Sequence, residues 1–257
     1  TIDEYGQRGV RDLEDKILEL GPDNVCAFVG ETMLGSLRGD IPPAPEYWKN
    51  IRKVCDKYDV HIILDEIYCG SGRSGRIYCC DYDDFCPDFV CIGKGCAGGY
   101  APISAVITKA HVEDVIAQGS GRIQLGHTFQ GFSLGAAAML AVQKQVHNDE
   151  MLKHVYENGK YVRDTIQSEL GNHDFFRESR GRGLNSALEY DCIDTDMFSL
   201  KLHQTMKEDH SILINSKWHR TTFTLPFIMT REETDLVLDK FLNTFQKISS
   251  DWPAGTT

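Results

Sequence analysis

Ile63-Leu64-Asp65-Glu66-Ile67 places a carboxylate at the end of an apolar run, and Ile92-Gly93-Lys94-Gly95 places a lysine between glycines after a second. As strand ends of one parallel sheet, these residues bring an acid and an amine to the carboxyl-edge crevice where open α/β sheets bind ligands. A lysine so placed holds an aldehyde as a Schiff base. The acid keeps a ring nitrogen protonated, so that the ring can take up electrons. Those are the requirements of pyridoxal phosphate chemistry.

The surrounding pattern supplies elements to position the pair. Val10, Leu13, Ile17 and Leu20 recur at helical spacing and predict an amphipathic helix over residues 10–20, stopped by Gly21-Pro22. Val25–Val29 reads as a buried strand with Glu31 just past its end. Ile41-Pro42-Pro43-Ala44-Pro45 turns the chain into a helix over 46–57. Strands follow at His61–Leu64, Phe89–Ile92 and Ile103–Ile107, the βαβ rhythm of a parallel sheet. Helices are expected over 132–145 and 148–170, then a strand near 183–190 and a helix over 196–209. Short strands near 212–214 and 222–225 precede a last helix over 230–248. The class is therefore α/β with a mostly parallel sheet. Residues 1–145 are expected to be the larger, ligand-binding part and 146–257 a smaller C-terminal α+β domain.

Composition narrows the function. The 257 residues are 41% hydrophobic and 25% charged, the balance of a soluble globular protein able to bury a sizeable core. A net charge of −11 with scattered basic residues excludes a nucleic-acid surface, and no apolar run approaches a membrane span. Nine cysteines without a C-x-x-C pair argue against zinc and for reduced structural thiols, hence a reducing, cytoplasmic setting. The sequence opens at Thr1 without methionine, as a processed chain or a piece of a longer one does. Gly70-Ser71-Gly72-Arg73-Ser74-Gly75 matches a dinucleotide fingerprint in form only. The β-prone Arg76-Ile77-Tyr78-Cys79-Cys80 that follows cannot open the required helix, so a turn is expected. Gly93-Lys94-Gly95 lacks the flanking residues of a Walker loop.

Taken together, Leu64-Asp65-Glu66-Ile67, Gly70-x-Gly72-Arg73-Ser74-Gly75, Pro87-Asp88 and Gly93-Lys94-Gly95 resemble the class III (ω-) aminotransferases, which are fold-type I pyridoxal phosphate enzymes. The resemblance continues through Gly98-Gly99-Tyr100, Pro102–Val106, Gly126-His127-Thr128-Phe129, Arg180–Leu184 and Leu225–Glu233, in order along essentially the whole chain. It implies that Lys94 is the Schiff-base lysine and the base and acid of the proton shift, and that Asp65 is the pyridinium partner. It further implies that Ile67 packs on one face of the ring and that the Thr128 hydroxyl reaches the cofactor phosphate of a neighbouring subunit. Glu31 is placed at the edge of the site, or on the surface near it. No metal is called for.

Departures leave the substrate open. Glu31-Thr32-Met33 stands where many relatives have Glu-Pro-Val, and Tyr68 where several have a glutamine that touches the ring hydroxyl. Thr222 falls at the position of an arginine that binds the substrate carboxylate in some members. Arg220, two residues earlier on the same strand face, offers a substitute. Another branch lacks this arginine, and Ser120-Gly121 with Gly126-His127-Thr128 suits that branch. The resemblance also covers only the later part of the family's chains. It therefore implies an aminotransferase acting on a small amine or amino-acid donor and a keto-acid or aldehyde acceptor, completed by a separate N-terminal polypeptide in a dimer or tetramer with shared sites. A catalytically incomplete structural or regulatory subunit, or another pyridoxal phosphate reaction (decarboxylation, racemisation, amino-group migration), is the alternative.

Overall fold

Thr1 caps the first helix, its hydroxyl accepting the Glu4 N–H, and α1 runs over Ile2–Leu20. That is eight residues earlier than the periodicity predicts, since residues 2–9 include Gly6 and Gly9, which lower helix propensity. Gly6 sits in the helix because a Cβ there would lie 2.7 Å from that of Ala44, so only hydrogen fits. The computed structural model describes residues 1–35 and 37–253. It falls into two compact units, one of Thr1–Met33, Pro43–Gly72 and Arg76–Asn148, the other of Leu34–Pro42, Arg73–Gly75 and Asp149–Thr257.

In the first unit, β1 (Ala27–Glu31), β2 (His61–Asp65) and β3 (Phe89–Ile92) are parallel neighbours, with α2 (Tyr47–Lys57) between the first two. Trp48, Ile51, Val54 and Cys55 of α2 pack with Ile62 and Leu64 of β2 and with Val10 and Ile17 of α1. Each such side chain contributes roughly 1.5–3 kcal/mol on burial. Trp48 also donates its indole N–H to the Thr32 carbonyl at 3.1 Å.

The sheet is mostly parallel, but its fourth strand, β4 (Ala105–Thr108), is antiparallel to β3. A parallel return needs a crossover of a dozen or more residues, usually helical. The connection over 93–104 holds only the single 3₁₀ turn Lys94–Ala97. Helices α3 (Ala110–Gln118) and α4 (Ser133–Val146) complete the unit. The first of these escapes sequence reading, since it is short and has no side-chain cap.

The second unit comprises α5 (Asp149–Leu170), β5 (Phe176–Arg182), β6 (Asn185–Tyr190), α6 (Thr195–His210), β7 (Asn215–Lys217), β8 (Arg220–Thr224) and α7 (Arg231–Ser250). Its sheet, ordered β5-β6-β8-β7, is antiparallel throughout. The two short strands lie a few residues away from the expected 212–214 and 222–225. Strand β5, Phe-Arg-Glu-Ser-Arg-Gly-Arg, hides from a hydrophobicity reading because polar side chains dominate it, Arg180 being buried. Tyr190, Phe198, Phe241 and Phe245 form the centre of the core, with the Tyr190 hydroxyl bonded to Ser199 at 2.6 Å and Ser216 at 2.8 Å. Among the described residues no helix is long and apolar enough to cross a membrane.

Candidate active site

Three parallel strands end side by side at one edge of the first unit. Glu31 closes β1 and is paired in register with Asp65, which closes β2; Asp65 is in turn paired with Cys91 of β3. Gly93 and Lys94 follow at the end of β3. The carboxyl edge thus collects Glu31, Asp65 and Lys94, as the strand-end reading requires.

Asp65 and Glu66 point to opposite sides, because side chains alternate along an extended chain. Asp65 is half-buried, and its Oδ1 accepts the Ile67 N–H at 2.9 Å, which fixes the carboxylate in place. Its other oxygen has no hydrogen-bond partner among the described residues. Glu66 is 1% exposed and turns inward. Its Oε1 accepts the Thr32 hydroxyl at 2.8 Å and the Cys80 N–H at 2.8 Å, while Oε2 accepts the Cys79 N–H at 2.6 Å. Burial pushes its carboxyl above the ordinary value of 4.5, against the pull of those donors. Sequence reading did not single Glu66 out. The available signal was the adjacent acid pair at a strand end, of which only one member can face the crevice.

The turn after β2 is closed by the Gly70 N–H to the Glu66 carbonyl at 2.9 Å. It carries Ile67 and Tyr68 toward the lysine loop. A Cβ on Gly93 would stand 3.2 Å from Ile67 Cγ2, so Ile67 packs directly over the residue before Lys94. Lys94 has φ +44, a left-handed backbone unusual for a side chain with a Cβ. Its exposed ammonium lies 5.7 Å from the centroid of the Tyr68 ring. In the same loop, a Cβ on Gly95 or Gly99 would meet nothing within 4 Å, so the backbone after Lys94 borders open space.

Thr128 lies in an exposed turn whose neighbours are held by the Gln130 N–H to the His127 carbonyl and the Phe129 N–H to His127 Nδ1. Among the described residues no contact ties its side chain to Asp65 or Lys94. Arg220, the suggested substitute for a substrate arginine, is buried in the second unit. It donates to the Leu37 carbonyl and lies 4.7 Å from the Trp218 ring centroid. Burial and the neighbouring Arg180 both push its guanidinium down. Its charge is engaged locally, which argues against the substitute role.

The sequence pattern of the family described as Aminotransferase class-III matches residues 2–245. This chain belongs to the class-III aminotransferases. It is 36% identical over 220 residues to an aminotransferase of Gibberella zeae, covering 82% of this chain and 43% of that protein. It is 33% identical to a diaminobutyrate–2-oxoglutarate transaminase of Halomonas elongata, covering 97% and 55%. Among solved structures, a transaminase from work on ancestral reconstruction superposes with a TM-score of 0.89 at 30% identity, over 98% of this chain and 57% of that one. The ornithine aminotransferase of Toxoplasma gondii superposes at 0.83 with 30% identity, over 94% and 55%. This class-III chain spans about half the length of these relatives.

The fold is that of the fold-type I pyridoxal phosphate transferases, and the residues at the carboxyl edge fit that cofactor. A class-III aminotransferase needs a primary amine for the aldehyde, a fixed carboxylate for the ring nitrogen and an apolar wall for the ring. Lys94, the unbonded oxygen of Asp65 and Ile67 have those chemistries, with open space beside Gly95.

Proposed function

We propose that this chain provides the lysine-bearing half of a class-III aminotransferase site, which moves an amino group between a small amine or amino-acid donor and a keto-acid or aldehyde acceptor. The single observation that carries the reading is the convergence of Asp65 and the Gly93-Lys94 turn at adjacent carboxyl ends of parallel strands. Bound there, pyridoxal phosphate supplies an electron sink conjugated to the reacting carbon.

The chain's own groups have distinct tasks. Lys94 Nζ would hold the cofactor through its aldehyde and, once released, would carry the migrating proton. The other oxygen of Asp65 would hold the ring N–H, while the Ile67 N–H on Oδ1 limits rotation of the carboxylate. Ile67 covers one face of the ring, and Glu31 borders the entrance. Thr128 donates its hydroxyl to the phosphate bound by a neighbouring subunit.

We further propose that a polypeptide corresponding to the remainder of the relatives completes the site, within an assembly of at least two subunits. Large apolar side chains between residues 100 and 140 support this reading. Leu125 is 85% exposed, Tyr100 84% and Phe129 73%. Exposed apolar surface of this kind marks interaction sites. Residues 1–145 then form part of the cofactor-binding domain, and 146–257 the small domain.

The test is to purify the chain with everything that accompanies it, weigh the components intact, and reduce with borohydride in the presence of pyridoxal phosphate. The cofactor mass is expected on Lys94 alone, with a keto product formed in step with consumption of an amino donor. A complex that forms keto product with Lys94→Ala as fast as the parent would overturn the assignment. Carbon dioxide release or inversion without keto product would replace transamination with a sister reaction.

A further inference from the structure

The turn over Glu66–Gly70 makes two contacts with the lysine loop. Ile67 packs on Gly93, where a Cβ would lie 3.2 Å from its Cγ2, and the Tyr68 ring centroid lies 5.7 Å from Lys94 Nζ. The turn itself is immobilised from beneath by the buried Glu66 carboxylate, bonded to Thr32, Cys79 and Cys80, and by the Gly70 N–H on the Glu66 carbonyl. Lys94 leaves the backbone at φ +44 between two glycines and is exposed. A half-buried aromatic ring within about 6 Å of an ammonium attracts it through the ring quadrupole.

We propose that Tyr68 is a positioning residue for Lys94, its ring holding the amine against the rigid Ile67–Tyr68 turn and so setting where the amine waits for an aldehyde. The inference rests on the proposed role of Lys94 for its meaning, but not for its test. The restraint acts through the ring face, so phenylalanine can replace tyrosine whereas an aliphatic or amide side chain cannot.

Competitive acetylation of the purified protein by trace acetic anhydride reads the contact without cofactor or turnover. Lys94 is compared with the exposed Lys153 in the same sample by peptide mass. Relative acetylation of Lys94 is expected to rise about 2–5-fold in Tyr68→Leu, the span that a surface cation–π contact supports, and to stay at the parent level in Tyr68→Phe. Tyr68→Gln serves as a second non-aromatic variant should Tyr68→Leu fail to fold, with the melting temperature recorded for each. Unchanged acetylation in the folded non-aromatic variants overturns the proposal, as does an equal rise in Tyr68→Phe. Borohydride trapping of pyridoxal phosphate on the parent is run alongside. If it misses Lys94, the catalytic reading fails, while acetylation still decides the contact between Tyr68 and Lys94.

Discussion

At the scale of single residues, two carboxylates next to each other in sequence meet opposite fates. Asp65 is half-buried and holds the Ile67 N–H on one oxygen, while Glu66 is buried under three donors. Glu66→Gln puts an amide NH₂ in place of one acceptor oxygen and leaves a donor facing a donor. It is expected to cost about 1–3 kcal/mol in urea unfolding at neutral pH. The pH dependence follows from the direction of the shift. Burial raises the folded carboxyl above 4.5, so the folded state binds the extra proton between that value and its raised one. This contribution therefore favours folding as pH falls through the raised value and fades as pH rises through it. Glu66→Gln lacks this dependence, and comparing urea midpoints of parent and variant from neutral pH down toward 5 checks it. Asp65→Asn keeps an acceptor for the Ile67 N–H but loses the charge. Folding is expected to survive, while cofactor-dependent turnover of the complete enzyme falls by at least about two orders of magnitude, the scale of a tuned catalytic charge.

Elements are held in register by groups that periodicity does not reveal. Asp88 accepts the Ile62 N–H of β2 at 2.8 Å, Arg52 of α2 at 2.7 Å and Lys109, just before α3, at 3.0 Å. Burial pushes its carboxyl up, but these partners together outweigh it and hold the group down from 3.8 to about 2. A depressed acid stabilises the fold above its unfolded value and loses that contribution as pH falls through the folded one. Asp88→Asn is expected to cost roughly 2 kcal/mol at neutral pH and to flatten the acid limb between pH 4 and about 2, measured by circular dichroism. In the second unit, α5 approaches the β5–β6 turn so closely that a Cβ on Gly159 would lie 1.7 Å from the Gly183 carbonyl oxygen. Gly159→Ala forces that backbone apart. It is expected to lower stability by at least about 1–3 kcal/mol, seen as early loss of hydrogen-exchange protection in α5, β5 and β6. Sequence reading located α2, α4, α5, α6 and α7 because their apolar stripes or alanine content are local signals. It missed α3, which is short and uncapped, and β5, whose polar side chains are placed by packing.

For the molecule as a whole, exposed apolar side chains between residues 100 and 140 belong to a chain about half the length of its relatives. Purified alone, the chain is expected to self-associate and to bind a hydrophobic dye, and adding the complementary N-terminal part of a relative is expected to reduce both. Scattering and dye fluorescence at fixed chain concentration check this, and a monodisperse, dye-silent chain would count against a missing partner. The sequence by itself determined the family, the α/β class, and the acid and lysine at two strand ends. These are legible because strand ends and glycine-flanked charges are local, and because motifs keep their order along the chain. Only the tertiary structure decided that β4 runs antiparallel, that Glu66 is buried while Asp65 stays half-exposed, that Arg220 is engaged within its own unit and that Tyr68 faces Lys94. Each of these depends on which distant groups meet a charge or a strand edge. That pairing is set when the chain closes on itself, and no spacing along the sequence specifies it.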